Sequence, residues 1–309
     1  MGDINKIAVV YGGSSSEREI SIQSGEGVYK AIIELGYVAD LIEINDLEDL
    51  SELKVFDFIF IALHGFEGEG GKLQKDLDDL NILYSGSSSK CCKNTWNKKL
   101  TKEILEQSNI STPIWSVVNK LPSYDSPNAK LSDPFFDKFR PFEAIFLKPQ
   151  EDGSSIDIFK ITNENSNKKA IQACLNPNRA FIYEEYINGK EFTVTIIDNI
   201  CLPPIEIISN NEFYDYDAKY HSDETLLIEA KLTKKELNEI NKIAFGAFKA
   251  LECNGWARID LIQDDEGNFY VIEINTVPGM TSHSCVPKSG SFLGLSYNEV
   301  VKKIIDASF

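Results

Sequence analysis

The chain has 309 residues and a formal net charge of −17, and its length fits two or three domains of about 100–200 residues each. The acidic balance argues against a nucleic-acid surface, which needs clustered Lys and Arg side chains. No apolar run approaches the roughly 20 residues of a membrane-spanning helix, and the N-terminus lacks a signal-peptide layout. We therefore expect a cytoplasmic protein with no nucleic-acid or membrane partner.

The first part of the chain alternates strand and helix patterns. An apolar run at 7–11 ends in a glycine-rich turn, and a helical pattern covers 17–35. Further apolar strands are predicted over 38–44 and 55–63. This alternation predicts an open α/β domain over 1–95, built on a parallel sheet.

The middle of the chain predicts a smaller α/β unit. One helix is predicted over 94–107, followed by strands at 142–148 and 180–187. The segment 163–175 has a helical pattern between those strands. We assign this central domain to 96–187.

The last part of the chain, assigned to 188–309, is dominated by strands that form hairpins. Four strands are predicted, at 192–197, 201–208, 256–262 and 269–275. A capping box at Thr233 opens a long helix between the two hairpins. The protein is thus predicted to be α/β overall, with an α+β, antiparallel-sheet domain at its C-terminus.

The second hairpin carries the most informative set of polar residues. Alternate side chains of a strand share a face, so Arg258 lies with Asp260, and Glu273 lies with Asn275. A turn near Glu266 places Asp260 opposite Glu273, where two carboxylates repel each other unless a cation compensates. Oxygen ligands of this kind suit Mg²⁺. The alternative is a solvated hairpin face with unrelated charges.

Two glycine-containing segments are candidate anion sites. Gly279 follows the proposed metal strand, and its turn can present backbone N–H groups to an oxyanion, with Ser284 beside it as a carboxylate ligand. Lys148 ends a strand before the loop 153–155, an arrangement that can hold phosphates, and Lys98 is a second candidate lysine. Ordinary turns and surface charges explain each segment equally well when it is taken alone.

Glu17 and His64 are candidates for a substrate pocket in the first domain. Both follow strands, and open α/β sheets bind ligands beyond the C-terminal ends of their strands. Glu17 begins a helix, where its negative charge would repel a phosphate and suit a substrate ammonium. The turn before it lacks the G-x-G-x-x-G spacing of a dinucleotide site, which argues against a nicotinamide dehydrogenase. A simple helix-start acid and a structural histidine are the alternatives.

The order of these features closely resembles that of the D-alanine–D-alanine ligases, which have the ATP-grasp fold. The matching segments extend from Tyr11 to Pro287. They read GGSSSEREIS, ALHG, LKPQEDGSS, IYEEYINGKEFTV, FYDYDAKYHSDE, GWARIDL and VIEINTVPGMTSHSCVP. The resemblance implies an N-terminal open parallel-sheet domain, a small central domain and a C-terminal antiparallel-sheet domain.

The resemblance also implies roles for individual residues. The residues similar to the family's ATP-binding set are Lys98, Lys148, Gly153, Ser155, Glu184 and Glu191. Those similar to its metal ligands, for two Mg²⁺ or Mn²⁺ ions, are Asp260, Glu273 and Asn275. The catalytic set would be Glu17, Ser154, Tyr220, Arg258 and Gly279. D-Alanine would further contact His64, Lys219 and Ser284.

The implied reaction is ATP-dependent joining of two D-alanines through an acyl phosphate, for peptidoglycan precursor synthesis, by a homodimer. Tyr220 resembles the residue of ligases that use D-alanine as second substrate, which predicts a dipeptide product. Two departures affect the details: Gly70 stands where the family commonly has aspartate, and Glu185 where a lysine often occurs.

Two other functions compete with this one. The first is another ATP-grasp carboxylate–amine ligase, which would keep the metal residues but lack a matched Glu17, Ser284 and Tyr220. The second is a non-catalytic nucleotide-binding protein, which would be favoured by the loss of Arg258 or a metal ligand. All of these residues are present.

Overall fold

The computed structural model describes residues 4–119, 121, 142–153, 156–209 and 225–308. Its strands form a three-stranded, a four-stranded and a six-stranded sheet, in that order along the chain. The three sheets fall within 1–95, 96–187 and 188–309 respectively, and the domain boundaries themselves stay a prediction.

The first sheet is parallel and has the strand order β2-β1-β3. Its elements are β1 (Lys6–Tyr11), α1 (Arg18–Glu34), β2 (Val38–Glu43) and β3 (Phe58–Ile61), followed by the short helices α2 (Phe66–Glu69) and α3 (Lys72–Asp79). Every residue of β3 is buried, as expected for a parallel strand covered on both faces. The predicted strand 55–63 is too long, because Leu50–Val55 forms a 3₁₀ helix that starts with a capping box at Asp49.

The segment that leads into the second sheet contains two helices, α4 (Ser89–Trp96) and α5 (Lys98–Gln107). The single helix predicted over 94–107 is therefore wrong. Asn97 has an extended backbone (φ −91°, ψ 104°), and its side chain accepts a hydrogen bond from Leu100 N at 3.0 Å. Asn97 thus ends one helix and caps the next.

The second sheet is antiparallel and has the strand order β4-β7-β5-β6. Its elements are β4 (Trp115–Val118), β5 (Ile145–Pro149), β6 (Phe159–Ile161), α6 (Glu164–Ala173) and β7 (Phe181–Glu185). The predicted central α/β unit is present, and a separate apolar core of eight buried residues, including Phe181 and Tyr183, lies within it.

The third sheet has the strand order β11-β10-β8-β12-β13, and β9 pairs with the end of β8. The elements are β8 (Gly189–Ile197), β9 (Ile200–Cys201), β10 (Ile205–Ile208), β11 (Leu226–Glu229), α7 (Lys234–Ala250), β12 (Trp256–Asp264), β13 (Phe269–Asn275), α8 (Cys285–Phe292) and α9 (Tyr297–Asp306). All its pairs are antiparallel, as predicted, and Thr233 caps α7 as part of a complete capping box.

The hydrophobic cores connect the parts of the chain. Val300 and Ile304 of α9, together with Trp256 of β12, belong to the same buried cluster as the first sheet. Leu105 of α5 belongs to the cluster formed by α7 and the third sheet. None of the helices described here combines the length and hydropathy needed to cross a lipid bilayer.

Candidate active site between the sheets

The β12–β13 hairpin has the predicted register. Asp260 pairs with Glu273, and Arg258 pairs with Asn275. The register shifts immediately after Asp260, where Leu261 pairs with Val271. Such a β-bulge changes the direction in which side chains next to the two acids point.

Asp260 is the centre of a polar cluster. Arg258 donates from Nε and Nη2 to its two carboxylate oxygens, at 2.9 and 2.7 Å. Thr193 Oγ1 donates to Oδ1 at 2.6 Å, and Asn275 Nδ2 donates to Oδ2 at 3.1 Å. Because the bidentate pair fixes the guanidinium, it also orients Arg258 within the site.

Two cavities meet at Glu273. The first, called here the inter-sheet cleft, lies between the second and third sheets and includes Lys148, Glu184, Glu191, Asp260 and Glu273 in its walls. The second, called here the turn cavity, is lined by predicted site residues from all parts of the chain: Glu17, His64, Lys98, Gly153, Arg258, Glu273, Asn275 and Gly279. The structure therefore gathers most of the predicted residues around one acidic side chain.

Lys148 and Glu184 form part of a buried ion cluster at the inter-sheet cleft. Glu184 Oε1 is bonded by Lys148 Nζ, and Glu184 Oε2 lies 2.6 Å from Lys102 Nζ. Burial alone would raise the pKa of Glu184, but Lys102 and Lys148 outweigh it and hold that pKa below its usual range. Glu184 thus remains a carboxylate, engaged by two lysines.

The carboxylate of Glu17 reaches the turn cavity from the start of α1. Its Oε2 lies 3.3 Å from the position that a Cβ on Gly65 would occupy, and 3.7 Å from the equivalent position on Gly153. The first domain and the central domain therefore meet at Glu17. The N–H groups of Gly13 and Ser14 donate to Glu43 and Glu67, so this turn does not offer them to a phosphate.

Lys98 enters the turn cavity from the first residue of α5. Its Nζ donates to the backbone oxygen of Asp152 at 2.6 Å, directly before Gly153. Burial lowers the pKa of Lys98, and the charge of Glu273 opposes that shift. Arg179 holds the same segment, because its guanidinium contacts Asp152 at 2.5 Å and Asp157 at 2.6 Å.

His64 connects the first domain to the turn that carries Gly279. The ring Nδ1 lies 2.9 Å from the carbonyl oxygen of Val277, and Nε2 lies 3.1 Å from Ser24 Oγ. The carbonyl can only accept, so Nδ1 carries the proton and Nε2 accepts from the serine. Ser24 Oγ in turn accepts from Met280 N at 3.0 Å.

Ser284 lies at the beginning of α8, next to Gly279. A Cβ on Gly279 would lie 2.9 Å from Ser284 Oγ, so only glycine fits there without a shift. The hydroxyl accepts from Thr281 N at 3.0 Å and contacts Thr281 Oγ1 at 2.9 Å. Ser284 is close to the turn cavity but does not itself line it. Its role toward a carboxylate stays a prediction.

Known proteins resemble this chain over nearly its whole length. The family model described as the C-terminus of D-ala D-ala ligase matches residues 136–306. The D-alanine–D-alanine ligase of Haemophilus ducreyi is 38% identical over 307 residues, covering 98% of each chain. That of Marinomonas sp. is also 38% identical, covering 96% of this chain and 94% of the relative. The chain belongs to the D-alanine–D-alanine ligase family.

Solved structures support the same assignment. The ligase of Bacillus anthracis, crystallised with ATP, has a TM-score of 0.85 and 31% identity, covering 98% of this chain and 97% of that one. The predicted α/β architecture with the ATP-grasp fold is therefore confirmed for this member of the D-alanine–D-alanine ligase family.

The oxygen ligands fit the magnesium ion that the ligase family implies. Asp260 and Glu273 are directly opposed, and Asn275 is two residues from Glu273. Within the described residues no cluster of three or more His, Cys, Asp or Glu side chains could hold a metal by itself. Two carboxylates and an amide are nevertheless a suitable partial set, because Mg²⁺ usually completes its shell with waters and substrate phosphates.

Both departures from the ligase pattern have a structural counterpart. A Cβ on Gly70 would lie 2.6 Å from the backbone oxygen of Phe66, so an aspartate would not fit here without a shift. Glu185 N donates to Ile114 O at 2.7 Å, and the Glu185 carboxylate accepts from Ile114 N at 3.2 Å. Glu185 therefore anchors β4 beside the inter-sheet cleft.

Three residues of this site were not predicted from the sequence. Lys102 follows Lys98 by one helical turn, and that i, i+4 spacing was the available signal. Glu69 lines the turn cavity, where burial and the neighbouring Glu17 raise its pKa to about 8. Ser24 had no distinguishing sequence pattern.

Four predicted residues lie outside the described part of the chain: Ser154, Ser155, Lys219 and Tyr220.

Proposed function

We propose that the chain joins two D-alanines to D-alanyl-D-alanine and converts ATP to ADP and inorganic phosphate, as a step in peptidoglycan precursor synthesis. The observation that carries this proposal is the meeting of the two cavities at Glu273. The inter-sheet cleft has the lysine and acids suited to a nucleotide, and the turn cavity has the acid, arginine and glycine turn suited to an amino acid. Phosphoryl transfer requires the two substrates to meet in this way.

In the first step, the carboxylate of one D-alanine attacks the γ-phosphorus of ATP, and ADP leaves. We assign Glu17 to the substrate ammonium, because its carboxylate lies in the turn cavity between Gly65 and Gly153. Lys98 and Lys148 lie on the phosphate side and lower the repulsion between the two anions. The product is an acyl phosphate.

In the second step, the neutral amine of another D-alanine attacks the acyl carbonyl, and inorganic phosphate leaves the tetrahedral intermediate. We assign the stabilisation of the oxyanion to the guanidinium of Arg258, which Asp260 fixes, and to the backbone at Gly279. Both residues line the turn cavity. We assign Ser284 and Lys219 to the carboxylate of this second substrate, and Ser154 and Tyr220 to hydrogen bonds that close the site.

Divalent metal would be held by Asp260, Glu273 and Asn275 and would neutralise phosphate charge during the transfer. We propose two Mg²⁺ or Mn²⁺ ions, by resemblance to the family. We assign Gly153 and Ser155 to the phosphates, and Glu184 and Glu191 to the adenosine side of the inter-sheet cleft, which both acids line. A cytoplasmic homodimer is proposed on the same resemblance, and light scattering in solution tests the dimer.

A product assay tests this function. Purified protein is given Mg²⁺-ATP and a panel of D- and L-amino acids, and ADP release is measured with chromatography of the products. We expect turnover that depends on D-alanine and yields D-alanyl-D-alanine. Turnover with a different amino-acid pair would identify another carboxylate–amine ligase instead. Arg258→Ala is the control, and it should fold but show no turnover.

A further inference from the structure

Lys102 is a fully buried lysine beside the nucleotide site, and the mechanism above does not use it. Its side chain is 1% exposed, and its Nζ contacts two groups. One is Glu184 Oε2 at 2.6 Å, and the other is Thr112 Oγ1 at 2.7 Å. Burial lowers the pKa of Lys102, and Glu184 opposes that shift. Burying a lysine ammonium costs free energy unless the group is paired, so a buried Lys102 requires a structural or functional explanation.

The contacts of Lys102 join two parts of the molecule. Lys102 lies on α5, whose Leu105 packs in the core of the third sheet. Its partner Glu184 lies on β7 of the second sheet. Thr112 donates to the carbonyl oxygen of Val271, two residues before the proposed metal ligand Glu273. Lys102 therefore bridges the two sheets that enclose the inter-sheet cleft.

The charges of the cluster explain why two lysines share one acid. Lys148 lines the inter-sheet cleft, and it is also bound to Glu184. A carboxylate paired with Lys148 alone would cancel the charge that phosphates need. With Lys102 on its other oxygen, Glu184 has a second cation to balance it, and a positive charge remains for the nucleotide.

We propose that Lys102 is a positioning residue for nucleotide binding: it holds and neutralises Glu184, so that Lys148 keeps its place and its charge for the ATP phosphates. Lys102 does not line the cleft and acts only through Glu184. This inference rests on the proposed use of ATP but not on the identity of the amino acid. Lys99 is its natural control, because this neighbour on α5 pairs with Glu103 at 2.7 Å, and a third of its side chain is exposed.

The test compares Lys102→Met, Lys102→Arg and Lys99→Met. Calorimetry measures the dissociation constant of Mg²⁺-ATP without D-alanine, and turnover assays give KM for both substrates. We expect Lys102→Met to weaken Mg²⁺-ATP binding about tenfold or more, the range of a lost charge-assisted hydrogen bond. Lys102→Arg should recover most of the affinity, and KM for D-alanine and the affinity of Lys99→Met should stay near wild type. Equal losses for ATP and D-alanine would overturn the proposal.

A double-mutant cycle with Glu184→Gln separates positioning from general stability. If Lys102 acts through the Glu184 charge, then Lys102→Met should have little effect in the Glu184→Gln protein. The same loss of Mg²⁺-ATP affinity in both backgrounds would contradict the proposal. The double variant leaves no unpaired buried carboxylate. It therefore answers the question, by comparison with Glu184→Gln, even if Lys102→Met does not fold.

The binding measurement also separates this inference from the proposed function. A protein that binds Mg²⁺-ATP but does not join D-alanines would refute the function, and the role of Lys102 would still be decided by calorimetry. Normal D-alanine ligation together with unchanged Mg²⁺-ATP affinity in Lys102→Met would refute the inference alone.

Discussion

His64 and Val277 are joined by a hydrogen bond although 213 residues separate them in the chain. Nδ1–H can donate to Val277 in either protonation state, but only a neutral ring has a lone pair on Nε2 that accepts from the Ser24 hydroxyl. Burial lowers the pKa of His64 below its ordinary value of 6.5. The folded protein therefore favours the neutral ring, and protonation would break the hydrogen bond that Nε2 accepts from Ser24.

This pKa shift predicts a pH-dependent stability. The unfolded chain takes up a proton near pH 6.5 and the folded ring does not, so the free energy of unfolding falls as the pH drops below about 6.5. We expect His64→Asn, which can still donate to Val277, to have a shallower decrease in Tm between pH 6.5 and 5. The exposed His283 is the control, and His283→Gln should keep the wild-type slope. Parallel curves for all three proteins would contradict this explanation.

Asp260→Asn should abolish most of the activity while the protein stays folded. The change removes the negative charge of a proposed metal ligand and weakens the fixed position of Arg258. We expect kcat to fall by about 100-fold or more, as for the loss of one group that stabilises transition-state charge. Activity should also require a higher Mg²⁺ concentration. Asp264→Asn, in the turn of the same hairpin, should cost some stability but keep kcat.

Gly65→Ala should impair the amino-acid site specifically. Gly65 has φ +72° and ψ −160°, a conformation almost restricted to glycine, so we expect a loss of about 1–3 kcal/mol in unfolding free energy. The new methyl group would also approach Glu17 Oε2 at 3.3 Å and raise KM for D-alanine. Gly294→Ala is the matched control, because Gly294 also has a positive φ (+76°) but no neighbour within 4 Å. An unchanged KM in Gly65→Ala would argue against Glu17 as the ammonium ligand.

Arg179→Met should loosen the segment that contacts Lys98. Arg179 bonds Asp152 and the buried Asp157, and its loss removes the cation that pairs with the Asp157 carboxylate. We expect the free energy of unfolding, measured by urea denaturation, to fall by about 2 kcal/mol. Mg²⁺-ATP binding should also be weaker. The exposed pair of Lys90 and Glu252 offers a control, and Lys90→Met should be close to neutral.

Tyr220→Phe should relax the preference for an amine as second nucleophile. This prediction rests on the family resemblance, since Tyr220 lies outside the described residues. We expect a higher ratio of D-alanyl-D-lactate to D-alanyl-D-alanine when both acceptors compete, measured by chromatography. An unchanged ratio would show that other residues decide the acceptor.

Local sequence rules predicted the parts of the site that lie within one helix start or one hairpin. The alternation of the strands and the turn between them were enough to place Asp260 opposite Glu273. The capping box predicted at Thr233 likewise marks a true helix start. These features could be read because their determinants are a few residues apart.

Only the tertiary structure could decide which polar residues are buried together. The stretch that contains Lys98, Lys99 and Lys102 has the appearance of a solvated helix, yet Lys102 is enclosed by Glu184 and Thr112. The pairing of His64 with Val277 likewise depends on how the first domain packs against the last. Sequence fixes the chemistry of each side chain and its local periodicity. Burial depends on the packing of distant segments, and burial decides whether a charge is a solvated surface group or part of a site.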